Sequence, residues 1–137
     1  MLQAFLAATI VVAPMSLELS IPPRVRAGEP VPVTLTVTNR SSRPLTLYLK
    51  GRPVAFDVVV RKDHEVVWRR LEGATIAMIL RVEALPPGGS LRFQDVWSQL
   101  TNAGVPVEPG DYTVTGALPT DRPQPLRTSP VTLHISP

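Results

Sequence analysis

One stretch with a strict two-residue alternation, from Val31 to Leu49, most constrains how this chain can fold. In its first half valine and leucine alternate with threonine, and the sequence reads Val-Pro-Val-Thr-Leu-Thr-Val-Thr. Side chains on a strand alternate between faces, so one face is apolar and the other carries hydroxyls. The residues from Asn39 to Pro44 have turn chemistry, after which leucine alternates with polar residues. The pattern predicts a central hairpin of two half-buried strands, which needs a second apolar layer.

Similar alternation recurs along the rest of the chain, between turns rich in proline and glycine. Proline makes up 16 of the 137 residues, more than twice its average usage of about 5%. These prolines fall between the apolar runs, where a missing N–H donor is tolerated. The runs indicate about eight or nine short strands, which is typical of an all-β sandwich or barrel. The predicted strands include residues 16–21, 31–38, 45–49, 54–61, 66–69, 76–85, 91–93, 112–118 and 131–135.

The chain begins with an apolar segment from Met1 to Ala13, which Pro14 follows. The segment is shorter than the roughly 20 apolar residues that a membrane-spanning helix needs. Its length suits the apolar part of a secretory signal, although no lysine or arginine precedes it. We expect residues 1–14 to be a signal-like leader or a mis-annotated start, and residues 15–137 to form a single β-sandwich domain. Export is slightly favoured, and a cytoplasmic location is the alternative.

The composition excludes several classes of function. The chain has no cysteine, which excludes disulfide bonds, thiolate metal sites and cysteine nucleophiles. The 14 lysines and arginines exceed the 11 acidic residues for a net charge of +3, but the arginines are dispersed near predicted turns. Proteins that bind nucleic acids concentrate basic charge on one face. We therefore expect a solvated surface, no nucleic-acid partner and no stable membrane span.

Histidines and carboxylates form no recognisable catalytic pattern. His64 falls in a predicted turn and His134 on the polar face of the last predicted strand, so neither has the converging ligands that a metal needs. The nucleophile-elbow, phosphate-loop and zinc-protease motifs do not occur. Asp95 and Asp111 are spaced like ordinary turn residues. The sequence predicts no catalytic residue, cofactor or metal site, and therefore a protein that is not an enzyme.

Aromatic residues give two more local signals. The run Glu-Pro-Gly-Asp-Tyr that ends at Tyr112 turns the chain and then begins a strand. It predicts a structural corner in which the tyrosine hydroxyl bonds nearby backbone. Trp68 and Trp97 are predicted to plug the two ends of the core. Alternatively, Trp68 with Arg69 and Arg70 binds a partner, since tryptophan and arginine dominate binding hot spots.

A set of short motifs over residues 33–118 has a recognisable order and spacing. They are Leu35-Thr-Val-Thr-Asn39, Lys50-Gly51 with Phe56-Asp57 after it, Val66-Val67-Trp68, Gly73, Leu85-Pro-Pro-Gly-Gly-Ser90, Trp97 and Pro109-Gly110-Asp-Tyr112. The progression resembles the bacterial intracellular proteinase inhibitor family, the BsuPI type. The resemblance implies an immunoglobulin-like antiparallel β-sandwich. It also implies a non-catalytic domain that inhibits a serine protease.

An inhibitor of this kind is expected to lay a rigid surface loop across the protease cleft. Rigidity matters because ordering a flexible loop subtracts from affinity. One candidate segment is 69–75, next to the first tryptophan, and the other is the proline-rich segment 119–130. The expected partner-binding residues are Trp68, Arg69, Arg70, Leu126, Arg127 and Thr128.

The alternative function is a protein-interaction or assembly module, in an exported form for instance, with no protease target. Immunoglobulin-like sandwiches host many unrelated functions. A partner strand would then add to a sheet edge, for which strands 131–135 and 16–21 are the candidates. The intact mass of the native protein bears on this choice, because loss of the leader favours an extracytoplasmic module.

Overall fold

The computed structural model of the chain describes residues 5–12 and 14–137. These residues form twelve β-strands and no helix, which confirms the prediction of an all-β fold. Within these ranges, nothing helical is long and apolar enough to cross a membrane. The strands are β1 (Leu6–Val12), β2 (Met15–Ile21), β3 (Arg24–Arg26), β4 (Val31–Asn39), β5 (Leu45–Lys50), β6 (Asp57–Lys62), β7 (Glu65–Arg69), β8 (Leu80–Leu85), β9 (Ser90–Trp97), β10 (Gly110–Leu118), β11 (Leu126–Arg127) and β12 (Val131–Ser136).

Two sheets form a sandwich. The first has the strand order β1-β2-β4-β9, and the second has the order β3-β12-β10-β6-β7 with β11 beside β10. The alternation in the sequence explains why these strands form, because the apolar positions of β4 are buried and its threonines are only half-buried. Apolar side chains from both sheets make one core. Its most deeply buried members include Leu17, Leu19, Ile21, Leu35, Val37, Val58, Trp97, Leu118, Leu133 and Ile135.

Gly116 of β10 lies where the two sheets come very close. A Cβ atom at this position would lie 2.7 Å from Cδ1 of Leu35 on β4, which is closer than carbon atoms pack. Leu35 is fully buried and has no room to move away. The missing side chain at residue 116 therefore lets the leucine fill the space between the sheets.

The predicted central hairpin is wrong, although both of its strands exist. β4 pairs with β2 and β9, whereas β5 pairs with β8 in a separate ribbon. The buried side chain of Asn39 explains the separation: it accepts from the N–H of Ser41 and donates to the carbonyl oxygens of Arg43 and Leu85. These bonds hold the turn against the end of β8, so the chain leaves β4 instead of folding back along it.

The hairpin of β6 and β7 is confirmed. Lys62 pairs with Glu65, and the two residues between them, Asp63 and His64, have φ angles of 49° and 72°. Positive φ at both central residues is the geometry of a type I′ turn, whose twist matches that of paired strands. This hairpin forms one side of the second sheet and leads directly into the candidate site.

Both strands that were expected to offer an edge are internal. β2 lies between β1 and β4, and β12 lies between β3 and β10. Residues of the predicted leader form β1, which pairs along the whole of β2 from Leu6↔Ile21 to Val12↔Met15. The rest of that segment, residues 1–4 and 13, lies outside the described residues, and its role as a leader stays a prediction. In the described part of the chain the strands that end a sheet order are β1, β9, β3 and β7, together with both strands of the ribbon, β5 and β8.

Candidate functional site

Arg70, which follows the β6–β7 hairpin, is tied into the fold. Its Nη1 donates to the carbonyl oxygen of Phe56 at 2.8 Å, and its Nε lies 2.7 Å from Oδ2 of Asp95. Its guanidinium carbon also lies 3.7 Å from the centroid of the Phe56 ring. A charge-assisted bond combined with stacking on an aromatic ring holds an arginine in one orientation. The side chain therefore fixes the point at which the chain leaves β7.

Trp68 and Trp97 lie together, so the prediction that they plug opposite ends of the core is wrong. Their ring centroids are 5.8 Å apart with 27° between the ring planes. Trp97 is buried, and its indole N–H donates to the carbonyl oxygen of Leu100 at 2.9 Å. Trp68 is half-buried on the outer side of this stack. The pair joins β7 to β9, each the outer strand of its sheet.

Arg69 is held through its backbone by Asn102. Its N–H donates to Oδ1 of Asn102 at 2.8 Å, and its carbonyl oxygen accepts from Nδ2 of the same side chain at 3.0 Å. The guanidinium remains substantially exposed, with Nε 3.9 Å from Glu72. The predicted patch of residues 68–70 is thus the stem of a loop, and Arg69 is the more exposed of its two arginines.

The connection from β7 to β8, residues 71–79, carries the most exposed large apolar side chain among the described residues. We call it the β7–β8 loop. Met78 is as accessible as in an extended peptide, at 104%, and Ile76 and Ile79 beside it are also exposed. The strand predicted over 76–85 begins only at Leu80. The alternation of apolar and charged residues covers only 80–84, which lie within β8. The residues before it form an unbroken apolar run whose large side chains are exposed to solvent.

Backbone hydrogen bonds fix both ends of the β7–β8 loop. At its start, the N–H of Leu71 donates to Oδ1 of Asp57 at 3.1 Å, next to a bond from Arg70 N–H to Val58. At its end, the N–H of Gly51 donates to the carbonyl oxygen of Ile79 at 2.9 Å. Asp57 begins β6 of the sandwich, and Gly51 directly follows β5 of the ribbon. The loop therefore spans two fixed points.

Gly51 also positions the middle of the loop. Its φ of 87° lies in the left-handed region that favours glycine. A Cβ atom here would lie 3.2 Å from Cγ2 of Ile76 and 3.0 Å from the carbonyl oxygen of Pro53. The side chain of Ile76 thus rests directly on the glycine, which leaves Met78 projecting beyond it.

Clefts border the β7–β8 loop. One has a volume of about 360 Å³ and is lined by Lys50, Ile76, Ala77, Met78, Ile79 and Leu80. Another, of about 240 Å³, lies between the loop and the arm at residues 52–55. A loop with open space beside it stands away from the body of the domain, so a partner can reach its exposed side chains.

The second predicted segment is mostly built into the sandwich. Leu126 and Arg127 form β11, which pairs with β10 through Leu118 and Ala117. Leu126 is buried, and the buried hydroxyl of Thr128 accepts from the N–H of Gly116 at 2.9 Å. Within residues 126–128 the side chain of Arg127 alone is exposed. β10 and β6 separate it from β7, a distance of about 14 Å at the usual strand spacing.

The remaining candidate residues lie elsewhere in the fold. The Tyr112 hydroxyl donates to the carbonyl oxygen of Glu108, and burial together with the carboxylate of Glu108 raises the pKa of Tyr112 above 10.0. His134 has a partner that the sequence did not reveal, because its Nδ1 lies 2.6 Å from Asp111. Asp111 and His134 lie opposite each other on β10 and β12, which are paired strands that are not consecutive in sequence. In residues 5–12 and 14–137, no three metal-binding side chains come together.

Comparison with known proteins gives one family and several solved structures of similar fold or partial similarity. The model of the BsuPI family, described as intracellular proteinase inhibitor, matches residues 22–123. No curated protein matches the sequence. Among solved structures, the C-terminal domain of wzt is 12% identical with a TM-score of 0.54, covering 99% of this chain and 77% of that one. This likeness concerns the fold alone.

Two other similar structures belong to much longer chains. A β-glucosidase from Listeria innocua is 13% identical over 98% of this chain, with a TM-score of 0.47. The alkylpurine DNA glycosylase AlkC from Pseudomonas fluorescens, bound to DNA containing an abasic site analog, is 12% identical over 85%, with a TM-score of 0.44. The chain spans 16% of the glucosidase and 28% of the glycosylase.

Proposed function

The chain belongs to the intracellular proteinase inhibitor family, and on this premise we propose that it inhibits a serine protease through the β7–β8 loop. The family match supports the inhibitor function and a non-catalytic role. The choice of surface is carried by one observation, the fully exposed Met78 on a loop that is fixed at both ends. The proposed protease contact is thus residues 74–80, further along the chain than the segment 69–75 expected from the sequence.

The fixed ends give the loop the property that an inhibitor needs. Binding a flexible loop costs roughly 0.5–1.5 kcal/mol for each side chain that is immobilised. Here Arg70 is clamped between Phe56 and Asp95, and Ile79 is bonded to Gly51. The anchored ends therefore reduce the conformational freedom that the loop loses when it enters a protease cleft.

The chemistry of the loop selects the kind of protease. From Leu71 to Leu80 the sequence is Leu-Glu-Gly-Ala-Thr-Ile-Ala-Met-Ile-Leu, with Glu72 as its one charged residue. A trypsin-like primary pocket contains a carboxylate that needs a lysine or arginine. An apolar primary pocket instead accepts methionine or leucine. The loop therefore fits a serine protease that prefers large apolar side chains, with Met78 as the residue that enters the pocket.

The test is an inhibition titration of the full chain against a subtilisin-like and a trypsin-like protease. We expect stoichiometric inhibition of the enzyme with the apolar pocket. Met78→Asp should weaken this inhibition roughly 30-fold or more, the loss that removal of a binding hot spot causes. Met78→Lys should transfer inhibition to the trypsin-like enzyme. Because the side chain of Met78 is fully exposed, these changes leave the core intact.

Two controls separate the possible outcomes. Met78→Leu keeps an apolar side chain and should retain inhibition, and Arg127→Ala changes the other predicted segment and should do the same. If Arg127→Ala abolished inhibition while Met78→Asp did not, the binding surface would be the 119–130 segment. Full protease activity at a large excess of intact protein would instead favour the alternative of an assembly module without a protease target.

A further inference from the structure

The β5–β8 ribbon leaves one side of β8 without a partner strand in the described part of the chain, and we propose that a second copy of this protein pairs there. We call residues 80–85 along this side the β8 edge. Such an edge presents backbone N–H and C=O groups that readily pair with another strand. The proposal does not depend on protease inhibition, because it rests on the backbone of β8 and not on the β7–β8 loop, which adjoins this edge at Leu80.

The ribbon geometry shows which backbone groups face the edge. The bond from the N–H of Gly51 to the carbonyl oxygen of Ile79 makes these two residues a hydrogen-bonded pair. Hydrogen-bonded and non-hydrogen-bonded pairs alternate along an antiparallel ladder. Following the register from Gly51 onward, the backbone groups of Leu80, Val82 and Ala84 point away from β5. These three residues offer their donors and acceptors to an added strand.

An antiparallel copy can satisfy these groups in a symmetric register. When Val82 lies opposite Val82 of the second copy, the two residues exchange both backbone bonds, and Leu80 pairs with Ala84 of the copy in the same way. Such a pairing has a two-fold axis at Val82, as a closed dimer requires. The alternation of hydrogen-bonded and non-hydrogen-bonded pairs along β8 is therefore compatible with a two-fold symmetric dimer.

Charge selects this register over its neighbours. With Val82 at the axis, Arg81 lies opposite Glu83 of the copy, and Glu83 opposite Arg81 of the copy. Both pairs then occupy non-hydrogen-bonded positions, where side chains are closest. Sliding the strands by two residues would place Arg81 against Arg81 or Glu83 against Glu83, and like charges directly opposite are destabilising. The sequence of the edge is thus complementary to itself in a single register.

Apolar residues on the outer face of the ribbon add to the same contact. Leu80 and Val82 are 59% and 60% exposed, and Tyr48 lies beside Val82 on β5. In the dimer, Val82 meets its counterpart and Leu80 meets Ala84 of the copy. A foreign strand could form the backbone bonds, but the charge symmetry favours a second copy. In this register the two β7–β8 loops join the paired strands at opposite ends of the interface.

Sedimentation velocity of the full chain over a range of concentrations tests the proposal. We expect a reversible monomer–dimer equilibrium. Arg81→Glu and Glu83→Arg should each weaken the dimer roughly tenfold, because both cross-strand pairs become repulsive. The double variant should regain dimerisation, since its charges are exchanged but still opposite. Arg92→Glu, the same charge change on exposed β9, should leave the equilibrium unchanged.

Mixing the two single variants is the decisive measurement. In a dimer of one Arg81→Glu chain and one Glu83→Arg chain, every cross-strand pair is again attractive. The mixture should therefore form a heterodimer more strongly than either variant forms a homodimer. Within one chain, Nε of Arg81 lies 2.5 Å from Oε1 of Glu83. The loss of this ion pair in each single variant cannot by itself produce a preference for the heterodimer. A monomer at all concentrations, or a dimer that ignores both charge reversals, would overturn the proposal.

Covalent trapping provides a second readout, because the chain has no cysteine of its own. Paired residues at hydrogen-bonded positions have Cα atoms about 5.5 Å apart, within the range of a disulfide. We expect Val82→Cys to form a disulfide-linked dimer on mild oxidation. Val96→Cys, at a similarly exposed position on β9, should remain monomeric. Equal cross-linking of both variants would count against the β8 edge.

Discussion

Tyr112 illustrates what single residues contribute to this fold. Its ring lies in the core with its centroid 6.4 Å from that of Trp97, and its hydroxyl donates to the carbonyl oxygen of Glu108. The hydroxyl ties the start of β10 to the turn before it. Burial, and then the charge of Glu108, raise the pKa of Tyr112 above its ordinary value of 10.0.

The raised pKa predicts how stability depends on pH. Because the folded state favours the neutral phenol, this contribution is fully present below pH 10.0 and is lost as the pH rises through the raised pKa. Tyr112→Phe should cost about 1–2 kcal/mol of unfolding free energy at neutral pH. It should also reduce the loss of stability at alkaline pH. Denaturant unfolding at pH 7 and above pH 10 measures both effects.

Tyr48→Phe is the matched control for this comparison, because the hydroxyl that it removes belongs to an exposed side chain. It should leave unfolding nearly unchanged at both pH values. An equal effect of the two substitutions would show that the hydroxyl of Tyr112 contributes nothing specific.

Some residues that organise the candidate site or the surrounding fold could not be predicted from local sequence. Arg70 looks like other surface arginines until the fold brings Phe56 and Asp95 to it. Gln99 has no strand or turn pattern, yet it is buried with a φ of 60° and its Nε2 donates to the carbonyl oxygens of Arg26 and Glu29. Both roles depend on contacts between distant parts of the chain, which a pattern of neighbours does not contain.

At the scale of elements, alternation predicts strands but not their partners. The positions of β4, β5 and β10 follow the apolar pattern closely, because that pattern reports which face is buried. The same pattern would suit β5 whether it paired with β4 or with β8. The prediction that a strand begins at residue 76 was wrong for a related reason. The exposed apolar residues before Leu80 resemble core residues in sequence. The candidate loop was therefore only partly predicted.

The side chain of Asn39 attaches the ribbon to the sandwich. This side chain is almost fully buried. Its amide N–H groups donate to the carbonyl oxygens of Leu85 and Arg43, and its amide oxygen accepts from the N–H of Ser41. Asn39→Ala would leave those buried groups without partners, and should cost about 2–4 kcal/mol. Hydrogen exchange should then be faster in β5 and β8 than in β2 and β10. Thr36→Ala, on the outer face of β4, is the control, and uniform acceleration in every strand would contradict a local role.

At the scale of the whole molecule, the proposed binding surfaces lie apart from β1. β2 and β4 separate β1 from β9, whose Asp95 holds Arg70 at the start of the β7–β8 loop. The β8 edge belongs to the ribbon, which pairs with neither β1 nor β2. The stem of the loop and the proposed dimer contact are thus built without β1.

This separation predicts that a chain starting at Met15 keeps its binding activity but loses stability. Ala8 and Ile10 of β1 pack against the core, and the carbonyl oxygen of Pro14 accepts from the N–H of Arg40. Their removal should lower the unfolding free energy by about 1–3 kcal/mol. It also uncovers the backbone of β2, so the shortened protein should aggregate more readily. Unfolding curves, light scattering and the protease titration of both chains measure these effects. Equal stability would mean that β1 contributes nothing to the sheet, whereas loss of inhibition by a folded 15–137 chain would place the protease contact at β1 instead of the β7–β8 loop.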